Sequence, residues 1–134
     1  MELNYLALYL ISFGWFIVFD AVWLGVLAKN LYATELKGLM TNEVKWGAAV
    51  LFYLIFIVGL VYFVIAPTLK SGAMNNLVLA AALFGLVTYA TYDLTNYATL
   101  KNFPLKIVVI DLIWGTVLST IVATLAYVTY TKFF

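Results

Sequence analysis

Four apolar stretches, Leu3–Ala28, Trp46–Ala66, Asn75–Leu100 and Leu105–Tyr130, occupy most of this chain. Each is long enough to cross a bilayer, because a hydrocarbon core about 30 Å thick takes about 20 residues of helix. Hydrocarbon offers backbone N–H and C=O groups no partner, so such stretches are helical. The expected fold is all-α: a polytopic membrane protein with four transmembrane helices in an antiparallel bundle, forming a single membrane domain over residues 1–134. The first stretch is expected to stay as a span. Its start carries Glu2 and neither Lys nor Arg, and its apolar run exceeds the core of a cleaved signal peptide.

Composition narrows the chemistry. With 66% hydrophobic and 10% charged residues, the chain lies far from the habit of soluble domains. It has no cysteine and no histidine, which removes disulfides, thiolate nucleophiles, His-ligated haem and the usual zinc sites. No cofactor or metal motif is visible. All seven basic residues are Lys, so the bidentate clamp that Arg offers phosphates is missing, and a net charge of +1 gives no case for nucleic acid. The partners expected are membrane lipids and a small-molecule or lipid ligand, with a homodimer as one way of covering the remaining helix surface.

Loop lengths set the topology. The long connection after span 1 places Leu31, Tyr32, Leu36, Leu39 and Met40 near one helical face, which suits a short interfacial helix between helices 1 and 2. Thr41 and Asn42 are candidate N-caps for span 2, which has few polar side chains, reads as a packing helix and is expected to stop at Ala66-Pro67. Ser71-Gly72 and the turn Lys101-Asn102-Phe103-Pro104 are short, making spans 2 and 3, and spans 3 and 4, antiparallel neighbours. Ala81 and Gly85, and Gly115, Ser119 and Ala123, follow the four-residue spacing of small residues that lets helices approach closely. The loops after spans 1 and 3 hold Lys29, Lys37, Lys45, Lys101 and Lys106, against Lys70 and Lys132 on the other side. By the positive-inside rule, loops 29–45 and 101–104 are cytoplasmic and both termini lie outside.

Against this apolar background stands the run Tyr89-Ala-Thr-Tyr92-Asp93-Leu-Thr95-Asn96. An ionisable residue inside a span is costly and points to function. Two more aspartates, Asp20 and Asp111, lie within spans 1 and 4. From the helical rise of about 1.5 Å per residue, Asp20 lies about 13 Å below Lys29, Asp93 about 12 Å below Lys101 and Asp111 about 7 Å below Lys106. Chain direction puts all three in the same leaflet. Each has a companion three residues on, namely Trp23, Asn96 and Trp114. The simplest arrangement is one pocket built from Asp20, Asp93, Asn96 and Asp111, walled by Tyr89, Tyr92, Trp23 and Trp114 and open towards the cytoplasm.

A centrally placed Asp costs about 2.5 to 3.5 kcal/mol on insertion scales, so three cost on the order of 8 kcal/mol before pairing. The ways out are protonation, a bound cation, a bound cationic ligand, or Lys29, Lys101 or Lys106 reaching inward. The plain alternative is that the aspartates are neutral hydrogen-bonding glue between helices. Such bonds contribute only about 0.6 to 2 kcal/mol, a poor return where Asn or Ser would serve. Trp15 and Trp46 read as packing or interfacial residues. A short internal similarity, Phe19-Asp20 with Leu27-Ala-Lys29-Asn30-Leu31 against Tyr92-Asp93 with Thr99-Leu-Lys101-Asn102-Phe103, carries a one-residue gap and would make the chain two parallel hairpins.

Phe19-Asp20-xx-Trp23-Leu24-Gly25, Tyr89 through Asn96, and Asp111-xx-Trp114-Gly115, in this order across four spans, resemble a family of small bacterial four-helix inner-membrane proteins catalogued as a domain of unknown function. The resemblance implies that fold and location and no established activity. Genes of such proteins, with neighbours resembling cyclopropane fatty acid synthases, imply a link to membrane lipid modification. Similarity to the small multidrug-resistance exporters is superficial, since their usual acidic residue is Glu and the second and third carboxylates depart from their pattern. The function expected is binding, with transport, of a small or lipid-like ligand at the carboxylate pocket, linked to protons or a cation. The alternatives are a lipid-modifying enzyme using an Asp as general acid or base, and a structural partner subunit.

Overall fold

The computed structural model describes residues 2–134 and is all-helical over them. Four helices are long and apolar enough to cross a membrane: α1 (Tyr5–Leu27), α3 (Trp46–Ser71), α4 (Met74–Thr99) and α5 (Leu105–Phe133). The short α2 (Lys29–Glu35) joins the first two. Asn4 caps α1, accepting from the N–H of Ala7 at 3.1 Å, while its own N–H donates to the Tyr130 hydroxyl at 2.8 Å and ties the start of the chain to the end of α5.

α5 is the central post. Its buried residues Asp111, Gly115, Leu118, Ser119, Val122, Ala123 and Ala126 recur every three or four positions and face the other spans. α4 and α5 form the most extensive interface in the molecule. A Cβ added at Gly85 would collide with the Gly115 carbonyl oxygen, and one at Gly115 with the Tyr89 ring, so both positions need glycine for close approach. Ala81, Ser119 and Ala123 are fully buried along the same seam. Phe16, Ile57, Leu60, Ile65, Leu77, Leu118 and Val122 fill the rest of the core. Outward-facing Leu6, Val26, Leu79 and Phe63 are mostly exposed, as side chains that meet lipid are.

Three local expectations change. Span 2 does not stop at Pro67. A π-helical turn over Val61–Ile65 precedes the proline, and the helix runs on to Ser71. Proline lacks an N–H and its ring crowds the carbonyl four residues back, and the wider turn absorbs that misfit. The true stop is Gly72, whose φ of +71° is left-handed and whose N–H caps the Thr68 carbonyl at 2.7 Å. Thr41 and Asn42 cap nothing helical: Thr41 bonds Glu43, and α3 begins at Trp46 after Lys45.

The third change concerns α2. It is shorter than residues 31–40, since Gly38 at φ +90° breaks the pattern. Leu31, Tyr32 and Leu36 pack on Phe103, Ile107 and Val108 at the start of α5, forming a second small core, while Leu39 and Met40 stay exposed.

α1 also ends in a π-helical turn, Trp23–Leu27. Such a turn holds one residue more than an α-turn, and α4, the counterpart of α1 in the internal similarity, has none between Asp93 and Thr99. The one-residue gap between the two segments falls within that turn. The two hairpins pack differently, however: α4 lies tightly along α5, whereas α1 and α3 meet more sparsely.

Candidate functional site

The lysine-rich end of the bundle encloses a cavity of about 500 Å³. α1 contributes Asp20, Trp23 and Leu24, α2 Tyr32, and α3 Ala49, Phe52 and Tyr53. α4 adds Thr88, Tyr89, Tyr92 and Asp93, and α5 Asp111 and Trp114. The three aspartates are buried, at 6%, 0% and 8% exposure for Asp20, Asp93 and Asp111. Helices α1, α4 and α5 thus bring one carboxyl each to the same cavity, in line with their similar depth along the helices.

Their partners differ. Tyr53 donates its hydroxyl to Asp20 Oδ2 at 2.6 Å. Tyr32 donates to Asp111 Oδ1, and its oxygen accepts from Trp23 Nε1 at 2.9 Å, so an indole, a phenol and a carboxyl form a relay across α1, α2 and α5. Tyr32 lies on the connecting helix, where burial first and the Asp111 hydrogen bond second push its phenol above the ordinary range. It therefore remains a donor at physiological pH. Trp23 stacks flat on Trp114, with centroids 4.3 Å apart and planes 9° from parallel. Asp93 has no such help: among the described residues neither of its oxygens receives a hydrogen bond, and the group it faces is the Asp111 carboxyl, another acceptor, while Trp114 Nε1 points towards Asp20 without closing a hydrogen bond.

Tyr89 stands in the space that Gly115 leaves and meets Phe56 edge to face at 6.3 Å. Phe56 in turn packs on Phe84 and Phe16, each at 5.3 Å, closing the floor with aromatic rings. The rim residues Leu24, Phe52 and Tyr92 are 45%, 48% and 60% exposed and all lie within spanning helices. α3 meets α4 from Phe56 onward, where Phe56 packs on Phe84 and Tyr89 and Gly59 lies against Phe84, deeper than Phe52 at the rim. The mouth therefore lies between α3 and α4, flanked by hydrocarbon, while Tyr32 covers Asp111 from the connecting-helix side.

Seven of the eight residues singled out in the sequence line this cavity; Asn96 does not. Three residues along a helix is a rotation of about 300°, which leaves Asn96 about 60° to one side of Asp93. Tyr53 and Tyr32 were missed. The same depth arithmetic finds Tyr53, since it lies seven residues beyond Trp46, about 10 Å into its span and level with Asp20. A phenol at that depth needs a partner. α3 is accordingly more than a packing helix. Nor do lysines neutralise the carboxyls. Among the described residues the ion pair within reach is Lys106 with Glu35 at 3.5 Å, on the exterior of the site.

Tyr53→Phe keeps the ring and removes the donor to a buried carboxyl. The expected cost is about 1 to 3 kcal/mol, read as a lower unfolding midpoint of the purified protein in detergent.

Neither a curated protein nor a solved structure matches the chain. A family model does, over residues 5–128, a range that contains every cavity-lining side chain. The chain belongs to the family described as "Predicted membrane protein (DUF2177)".

Proposed function

We propose that the protein binds, and moves, a small or lipid-like ligand that reaches the carboxylate cavity from the bilayer, and that Asp93 exchanges a proton or a cationic group as the ligand comes and goes. The supporting observation is Asp93: a wholly buried carboxyl that receives no hydrogen bond from the described residues and faces a second carboxyl, Asp111, at the wall of a cavity whose size is that of small-molecule sites. A fold that only needed glue would have satisfied it, as it satisfies Asp20 and Asp111. The exposed rim within spanning helices supports entry from the side.

The direct test is photocrosslinking of the reconstituted protein with lipids carrying a diazirine in the tail. Labelling concentrated around Leu24, Phe52 and Tyr92, and reduced by Asp93→Asn, is the expected result. Uniform labelling of the lipid-facing surface, unaltered by that substitution, would sink the reading.

The Trp23–Tyr32–Asp111 relay favours a second reading. A carboxyl held by a phenol is equipped to pass a proton to or from a bound lipid, as a general acid or base in lipid modification would. Lipid turnover by the purified protein, lost in Asp111→Asn, distinguishes catalysis from transport. The lysine asymmetry supports a bacterial inner membrane with the connection between α1 and α3 in the cytoplasm. Since the chain lacks cysteine, Lys37→Cys and Ser71→Cys are clean probes. In intact cells a membrane-impermeant maleimide should label the second and spare the first.

A further inference from the structure

We infer that the ligand is a hydrophobic monocation, an ammonium head on an apolar body. This rests on the cavity being a ligand site and goes on to say what it takes. Three carboxyl groups line the cavity, and among the described residues no lysine pairs with any of them. Asp20 and Asp111 each already accept a phenolic hydrogen bond on one carboxyl oxygen. Asp93, at 0% exposure, receives no hydrogen bond from the described residues and faces the carboxyl of Asp111, a second acceptor, so the pair has acceptor capacity open to an incoming donor or positive charge.

The rest of the lining points the same way. Trp23, Trp114, Tyr89, Tyr92 and Phe52 give the cavity aromatic walls, and ring faces attract cations, most strongly where water is excluded. An anionic head would meet three carboxyls with no cation among the lining residues, only the neutral donors of the Trp114 indole and the Tyr89 and Tyr92 phenols. A bare metal ion fits poorly, because among the described residues no three acidic side chains converge closely enough to ligate one. A head with diffuse charge and C–H surface, held between carboxyl and rings, suits carboxyls that share a cavity without meeting at a point. The exposed rim of Leu24, Phe52 and Tyr92 lets an apolar tail leave between α3 and α4.

The test titrates the full chain in nanodiscs with four twelve-carbon amphiphiles that differ only in the head: dodecyltrimethylammonium, dodecylphosphocholine, dodecanol and dodecanoate. Binding is followed by competition for a diazirine-bearing alkylammonium crosslinked to the protein. The cation is expected to compete at concentrations at least about tenfold below the other three, and Asp93→Asn to weaken it by about tenfold or more. Tyr92→Leu, at a rim position too exposed to disturb folding, should weaken it severalfold, whereas Tyr62→Leu, an equally exposed aromatic outside the cavity, should not. Equal competition by all four heads, or preference for another head, would overturn the monocation while leaving a ligand site. Absence of saturable labelling with any of them would overturn the site as well.

Discussion

Replacing Asp93 with leucine is expected to make the protein more stable, by about 2 to 3 kcal/mol, while removing ligand binding. The carboxyl is wholly buried and receives no hydrogen bond from the described residues, so its desolvation is uncompensated, and insertion scales put that cost at about 2.5 to 3.5 kcal/mol. A leucine of similar reach fills the same space without it. Asp20→Leu should do the reverse, because it strands the Tyr53 hydroxyl that now donates at 2.6 Å. Unfolding midpoints of the two purified variants in one detergent check the pair. If both fall alike, Asp93 has a structural partner, and its role as an unspent binding group is lost. The trade of stability for a poised functional group is a common one.

The opposite extreme is expected at the helix crossing. Gly85→Leu should cost about 3 kcal/mol, the upper range for overpacking, since the new Cβ meets the Gly115 carbonyl, which belongs to a helix backbone and cannot swing aside. Gly14→Ala and Gly25→Ala are the matched controls. Nothing lies within 4 Å of a Cβ at either position, so both should change stability by less than about 1 kcal/mol. Chemical unfolding in mixed micelles reads all three. Because Tyr89 occupies the room that Gly115 leaves, crowding this seam also shifts a cavity wall. A Gly115 variant that still folds should therefore lose binding before it loses its helices.

The legible features are those that follow from one-dimensional arithmetic. Apolar length gave the four spans, small residues four apart gave the α4–α5 seam, and counting residues from the loop lysines brought Asp20, Asp93 and Asp111 to one level. What escaped depends on rotation about a helix axis and on polar aromatics counted as apolar. Asn96 shares its three-residue offset with Trp23 and Trp114, whose long indoles still reach the cavity, whereas its short amide at the same rotation does not. Tyr53 was hidden because a tyrosine raises no flag in a hydrophobic count, although its hydroxyl is as needy as an amide once buried. Tyr32 was assigned to a membrane-surface face; packing against Phe103, Ile107 and Val108 turned it inward instead. The π-helical turn before Pro67 had no sequence signal beyond the proline itself, and the proline was read for its commoner effect.

The mouth between α3 and α4 changes what affinity means for this protein. A ligand taking the proposed route has already partitioned: a single myristoyl chain binds membranes with about 10⁴ M⁻¹, and two methylenes fewer at about 0.8 kcal/mol each leave a twelve-carbon chain concentrated in the bilayer on the order of a thousandfold. The cavity then has little attraction left to supply. On the proposed reading its carboxyls and rings act as a filter on an enriched two-dimensional solution, and occupancy follows the mole fraction of ligand among lipids. Doubling the lipid at constant ligand should halve that occupancy.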